Sequence, residues 1–318
     1  MARKDRSPQE LFTAAQSGDR AALARLLSLI ERGGDLGREV GRLSYPLGGT
    51  AYTVGLTGAP GAGKSTLTSA TIGHLRSLQQ EVAVLAIDPS SPFSGGAILG
   101  DRVRMQDHAT DPGVFIRSMA TRGHLGGLSL ATPEAVRLLD ALGHELVLIE
   151  TVGVGQVEVE IAGKADTTVV VVNPGWGDAV QANKAGLMEI ADIFVINKAD
   201  RKGVDDTRRD LEQMLELSQL GDWRPPIIPT VASQNEGVDR FWAAVTEHRE
   251  HITATGELAR RRERRLREEL REIIVRRLEM RAREICTGDR WDELEQGVSQ
   301  RRVDPWNAAD EMLKGVGA

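Results

Sequence analysis

Between residues 51 and 233 the apolar residues arrive in short consecutive runs, each followed by a polar or glycine-rich break. The runs are AYTVGLTG, EVAVLAID, ELVLIET, TTVVVVNP, DIFVINKAD and PIIPTVAS, and GVFIRSM adds one more. They are apolar on successive residues and rich in β-branched side chains, as parallel strands covered on both faces are. Helical stretches separate them, residues 64–79 among them. This βαβ rhythm predicts an α/β fold with a doubly wound, mainly parallel sheet and right-handed crossovers. Ligands bind such sheets beyond the carboxyl ends of the strands, and chemistry is expected there.

The flanks follow a different pattern. Residues 8–32 carry apolar residues at helical spacing with a break at Gly18-Asp19, which predicts two amphipathic packing helices. After Thr253, GELARRRERRLREELREIIVRRLEMRAREI presents a stripe of Leu258, Leu266, Leu270, Ile273, Ile274 and Leu278, with arginines and glutamates on the other faces. One long amphipathic helix is predicted. A charge run of this kind is ordinarily a solvated face. The stripe must be buried somewhere, and a helix leaving a globular domain often buries it in a second copy of itself. The expected organisation is an N-terminal helical extension (1–48), a central domain (49–253) and a C-terminal helical dimerisation arm (254–318).

A chain of 318 residues suits one large α/β domain with helical additions. Lys and Arg number 40 against 46 Asp and Glu, a net charge of −6. That argues against a dedicated nucleic-acid binder, which needs a basic face. The long C-terminal helix interleaves glutamates with its arginines and has no aromatic residue, which weighs against docking on nucleic acid or membrane. Cys286 is the one cysteine, so neither a disulfide framework nor a Cys-rich metal site can form within the chain. A reducing compartment fits, most simply the cytoplasm. The start lacks the apolar core of a secretory signal, and the apolar runs fall far short of the roughly 20 residues of a membrane span.

The stretch GLTGAPGAGKST changes the picture most. Gly58, four residues, then Gly63-Lys64-Ser65 matches the phosphate-loop pattern GxxxxGK[ST], after a predicted strand and before a predicted helix. Glycines let backbone N–H groups approach phosphates, and the helix start favours anions. Gly58, Ala59, Pro60, Gly61, Ala62, Gly63, Lys64, Ser65 and Thr66 are therefore nucleotide-binding candidates. Lys64 would bridge the β- and γ-phosphates, and Ser65 would give an oxygen to Mg²⁺.

Asn197-Lys198-Ala199-Asp200 follows the strand DIFVI and matches the NKxD pattern of GTPases. The Asp200 carboxylate can accept from guanine N1–H and its 2-amino group. Adenine offers an acceptor at N1 and no 2-amino group, and mismatched buried polar groups are strongly rejected. The ligand expected is therefore GTP or GDP. Lys198 can lie along the base, and Asn197 can tie this loop to the phosphate loop. Val231-Ala232-Ser233 is the expected last base loop, with Val231 where many GTPases have Ser. Its backbone N–H groups would contact the guanine oxygen.

Asp88 ends the strand EVAVLAI, Asp101 lies in GGAILGDRVRM, and Glu150 ends ELVLI in the place of a DxxG switch motif. With Ser65 these carboxylates form the predicted Mg²⁺ shell, since Mg²⁺ takes a few hard oxygens beside waters and phosphate oxygens. Phosphoryl transfer also needs a positioned water and positive charge. No Gln directly follows the switch motif. Gln156 stands three residues beyond Gly153, and Lys184, Arg102 and Arg104 could supply charge. Lys64, Gln156 and Lys184 are the catalytic candidates, and slow intrinsic hydrolysis awaiting a partner is expected.

TGAPGAGKSTL, LAIDPSSPFSGGAILGDRVRM, RSMATRGHLGGLS, ETVGVGQVEVEI, NPGWGDAVQANKAGLMEIADIFVINKAD and DPWNAADEML resemble the methylmalonyl-CoA mutase-associated GTPases, the MeaB/ArgK family of SIMIBI-type P-loop GTPases. The resemblance covers nearly the whole chain. It implies a homodimeric chaperone for an adenosylcobalamin-dependent mutase, gating cofactor loading and protecting the enzyme. It places Ser65, Asp88, Asp101 and Glu150 in the metal shell. It also matches Gly177–Lys184, with Asp178, Gln181 and Lys184, to a loop coupling nucleotide state to the mutase. Two alternatives stand beside it. One is a small-molecule kinase, as the older arginine-transport label suggests. The other is a nickel-inserting GTPase, against which one cysteine and six scattered histidines argue.

Overall fold

The computed structural model describes residues 6–89, 106–108, 110–121, 127–151, 164–175, 190–217 and 221–314. Three helices come first: α1 (Pro8–Gln16), α2 (Arg20–Arg32) and α3 (Gly34–Ser44). Every apolar run of the sequence then forms a strand. These are β1 (Tyr52–Gly58), β2 (Val82–Pro89), β3 (Val114–Thr121), β4 (Leu146–Thr151), β5 (Thr167–Val172), β6 (Ile193–Asn197) and β7 (Ile227–Thr230). They make one sheet in the order β3-β2-β4-β1-β5-β6-β7, with every pairing parallel. Helices α4 (Lys64–Ser77), α5 (Gly127–Ala141), α6 (Val204–Leu217) and α7 (Val238–Ala254) accompany the strands. The doubly wound α/β fold read from the sequence is the fold observed.

Alternation along the strands explains why the runs are apolar throughout. In β2, Val82 and Val84 join one core layer, while Ala83, Leu85 and Ile87 join the other. The first layer takes Leu67, Ile72 and Leu75 of α4, Leu211 and Leu215 of α6, and Phe241 and Val245 of α7. The second takes Leu26, Leu27 and Ile30 of α2, Val40 of α3, and Leu138 and Leu139 of α5. Each of these β2 residues thus meets a helix layer on one face or the other, and none of their side chains is left to water.

The helix α3 was not among the two predicted for the N-terminal segment. It holds Gly34, Gly37 and Gly41 within eleven residues, a composition that reads as loop. Packing overrides propensity. A Cβ on Gly37 would come within 2.9 Å of Leu29 O, so glycine there lets α3 close onto α2.

The chain divides into two units, Met1–Glu263 and Arg264–Ala318. The helix α8 (Glu257–Ile285) begins in the first, and α9 (Asp289–Ser299) and α10 (Pro305–Leu313) belong to the second. In the second unit Asp304 caps α10 through Trp306 and Asn307 N–H, and Gly297 of α9 lies against Val303. Leu258 of the α8 stripe packs on the core and Ile273 is half-buried, but Leu266, Leu270, Ile274 and Leu278 are exposed, Leu278 at 62%. No helix among the described residues is long and apolar enough to cross a membrane.

Candidate nucleotide site

β1 runs straight into the phosphate loop. Gly58 ends it at φ +136°, and a Cβ there would run into Val171 O of β5. The loop turns through an Ala62 N–H to Ala59 O bond of 3.2 Å. Gly63 then takes a left-handed conformation, φ +92°, and a Cβ on it would strike Asn197 Nδ2. These two glycines are fixed by contact as well as by conformation. α4 starts at Lys64, and its N-cap residue is Gly63, which has no side chain to cap with; a helix start suits an anion.

Lys64 is buried and folds back on the loop. Its Nζ donates to Gly58 O at 2.7 Å and to Ala59 O at 3.2 Å. Phosphate oxygens would compete with those carbonyls for the same ammonium. One residue on, Ser65 Oγ donates to Glu150 Oε1 at 2.5 Å, both groups buried. β4 pairs with β1 so that Glu150 stands opposite Leu56, and its carboxylate reaches the start of α4. A hydroxyl and a carboxylate side by side are hard oxygen donors of the kind Mg²⁺ takes. Asp88 lies in β2, two positions beyond Ala86, the residue paired with Glu150. Asp101, Arg102, Arg104, Gln156, Asp178, Gln181 and Lys184 lie outside the described residues.

At the far side β6 ends in Asn197, which joins three loops. Its Nδ2 donates to Ala62 O at 2.9 Å and Gly63 O at 3.3 Å. Its Oδ1 accepts from Ala232 N–H at 3.1 Å and from Thr230 Oγ1 at 3.2 Å. The Ala232 N–H, expected on the base, thus donates to Asn197, and Ser233 is exposed. Lys198 sits in the left-handed region at φ +58°, uncommon for a non-glycine residue, and its Nζ donates to Gly61 O at 2.6 Å. That conformation turns the chain so that Asp200 emerges exposed. The structure therefore brings Gly58–Thr66, Glu150, Asn197–Asp200 and Val231–Ser233 to one end of the sheet, the carboxyl ends of β1, β4, β6 and β7.

A family model described as "Methylmalonyl Co-A mutase-associated GTPase MeaB" matches residues 23–286. The chain belongs to the MeaB family. It is a GTPase of the P-loop type and binds guanine nucleotide. A Pyrococcus abyssi protein described as a GTPase is 51% identical over 312 residues, covering 96% of each chain. GTPase ArgK of Escherichia coli is 38% identical, with 78% of each chain covered. The mouse mitochondrial methylmalonic aciduria type A homolog is 35% identical over 82% of this chain and 68% of its own. Among solved structures, one described as LAO/AO transport system kinase superposes with a TM-score of 0.72, at 27% identity over 97% of both chains.

Proposed function

We propose that this MeaB-family GTPase is a chaperone for an adenosylcobalamin-dependent mutase of the methylmalonyl-CoA mutase type, gating cofactor loading and guarding the loaded enzyme. The match of residues 23–286 to the mutase-associated family carries the reading. In this mechanism the backbone of Gly58–Thr66 wraps the phosphates and Lys64 meets the charge on the β- and γ-oxygens. Asn197 holds the phosphate loop against the base loop, and Asp200 reads guanine. Ser65 and Glu150, with Asp88 and Asp101, would hold Mg²⁺, which neutralises phosphate charge when bound. Gln156 and Lys184 are the proposed groups for placing water and supplying further charge. Asp178, Gln181 and Lys184 would relay nucleotide state to the mutase. The open stripe of α8 supports a homodimer, with a second copy covering Leu266, Leu270 and Leu278.

Hydrolysis is expected to be slow for the chain alone and faster with the partner. The test is co-purification with a cobalamin-dependent mutase and a comparison of GTPase rates with and without it. Absence of both a complex and a rate change would overturn the chaperone assignment while leaving GTP binding intact. The kinase name of the solved relative supports a second reading, transfer of phosphate to a small molecule. Phosphorylated product accumulating in place of inorganic phosphate would favour it.

In Glu150→Gln the side-chain carbonyl still accepts from Ser65, so the fold is expected to hold. The negative charge that would face the cation is lost. The Mg²⁺ concentration giving half-maximal hydrolysis is expected to rise about tenfold or more. An unchanged Mg²⁺ requirement would remove Glu150 from the metal shell.

A further inference from the structure

At the opposite end of the sheet, the amino ends of β1, β5 and β6 meet a buried polar cluster that nucleotide binding does not use. Asp192 immediately precedes β6, and its side chain is only 8% exposed. Its N–H donates to Thr168 O at 2.9 Å and its Oδ2 accepts from Thr168 N–H at 2.8 Å, which sets β6 against β5. Trp223 Nε1 donates to Asp192 O at 2.8 Å. His248 Nε2 lies 3.2 Å from Asp192 Oδ1 but out of hydrogen-bond alignment, and its Nδ1 is 2.8 Å from Thr167 Oγ1. The full charge opposite Asp192 comes from Arg261, on the second turn of α8. Its Nη1 donates to both carboxylate oxygens at 3.0 Å and its Nη2 to Oδ1 at 3.0 Å. Burial works against the Arg261 charge, yet the Asp192 and Glu257 carboxylates outweigh it and hold its pKa above the ordinary value.

β6 is five residues long and buried throughout. Asp192 stands at one end and Asn197, which leads directly into Lys198 and Asp200, at the other. It is paired on both sides, to β5 and to β7, so it moves as one piece and its anchored start bears on where its end points. A buried carboxylate stripped of its counter-charge either takes a proton or draws toward water. Without the Arg261 fork the side chain at position 192 is no longer fixed, whether or not it carries charge, and a shift there reaches the base loop through one short strand.

We propose that Arg261 is a positioning residue for guanine selectivity, acting through Asp192 and β6 on the Asn197–Asp200 loop. The proposal rests on the reading of Asp200 as the guanine-binding carboxylate. The neighbouring pair supplies an internal control. Arg262 grips the Asp166 carboxylate, just before β5, through Nε at 3.2 Å and Nη2 at 2.7 Å and also donates to Gly49 O and Ala51 O, while Arg261 reaches only the Asp166 carbonyl, at 3.3 Å; the Arg262 pair is thus an arginine–carboxylate grip on a strand that does not lead to the base loop.

The readout is the ratio of GTP to inosine triphosphate affinity on the full chain, since inosine lacks the 2-amino group that Asp200 would bind. Arg261→Met is expected to lower this ratio about tenfold, because catalytic and binding groups displaced by about 1 Å lose up to 10²-fold in effect. Arg262→Met is expected to lower the melting temperature and hold the ratio. The double variant Arg261→Met with Asp192→Asn removes both charges, and should recover stability while the ratio stays low. Arg261→Lys, which keeps the charge without the fork, should fall between. If Arg261→Met fails to fold, the double variant and Arg261→Lys decide the question by the same ratio. The proposal is overturned by an unchanged ratio, by equal weakening of both nucleotides, by an equal effect of Arg262→Met, or by a ratio that recovers with stability in the double variant. If Asp200→Asn also leaves the base preference untouched, the base reading itself has failed. If Asp200→Asn shifts the preference and the Arg261 variants do not, only the positioning role has.

Discussion

Asp200→Asn is expected to turn the base preference of this GTPase from guanine toward xanthine. Asp200 is held on a turn set by Lys198 at φ +58°, by Ala199 N–H on Thr230 O at 3.0 Å, and by Arg201 N–H on Lys198 O at 3.0 Å. Its side chain is exposed, and among the described residues its carboxylate makes no hydrogen bond or ion pair, so both oxygens are open to a base. A carboxylate accepts from guanine N1–H and from the 2-amino group. An asparagine still accepts from N1–H, but its amide N–H₂ faces the 2-amino group, donor against donor. Xanthine carries an oxygen at that position and restores the match. Losing a charge-assisted hydrogen bond and leaving a donor unpaired together cost about 3–4 kcal/mol, so GTP affinity should fall by about 10²–10³-fold. Affinity for xanthosine triphosphate should rise by a comparable factor. Because Asp200 is at the surface, the melting temperature should stay within about 1–2 °C. Titration of both nucleotides against the variant decides it, and a retained guanine preference would take Asp200 out of base recognition.

Legibility in the sequence followed the reach of each interaction. Gly58 and Gly63 announce themselves because a left-handed turn and a close backbone approach leave few alternatives to glycine. Asn197 was readable as a tie between loops because its pattern sits at a strand end downstream of a phosphate loop, and in the structure it bonds to Ala62, Gly63, Thr230 and Ala232. The strands were readable because both faces of the sheet are covered. The helix α3 was hidden, since the reason for Gly37 is the backbone of α2 and no local pattern carries that. The ion pairs under the sheet were hidden differently. Arg261 and Arg262 stand in a run of arginines that was expected to be solvated, yet they are about three-quarters buried, 25% and 26% exposed. Phase was the available signal. Leu258 packs on the core, and Arg261 and Arg262 follow it by three and four residues on the same helical face. Their partners, Asp166 and Asp192, are the polar residues just before two apolar strands, where a sequence reading sees only an entry turn.

Lys64→Met is expected to cut hydrolysis at saturating GTP by at least about 10²-fold, equivalent to roughly 3 kcal/mol of transition-state stabilisation. Methionine keeps most of the stem and its packing, so the change isolates the ammonium. Phosphoryl transfer spreads negative charge over the equatorial oxygens and offers little covalent chemistry for a protein to perform, so fixed positive charge is a large part of catalysis. Lys64 is buried, 7% exposed, so its charge acts where water screens it weakly. The same substitution removes the bonds from Nζ to Gly58 O and Ala59 O. Leaving loop carbonyls without that donor costs about 1–3 kcal/mol of stability, a fall in melting temperature of several degrees for a unit of this size. The two effects separate experimentally. A loss that is structural would weaken GTP and GDP alike and track the melting temperature. A loss of charge on the transferring group would weaken GTP more than GDP and persist at temperatures where the variant is fully folded. A turnover number within about threefold of the unsubstituted protein, with nucleotide bound, would mean that other cations meet the developing charge. Lys64 would then be left with holding the loop in shape.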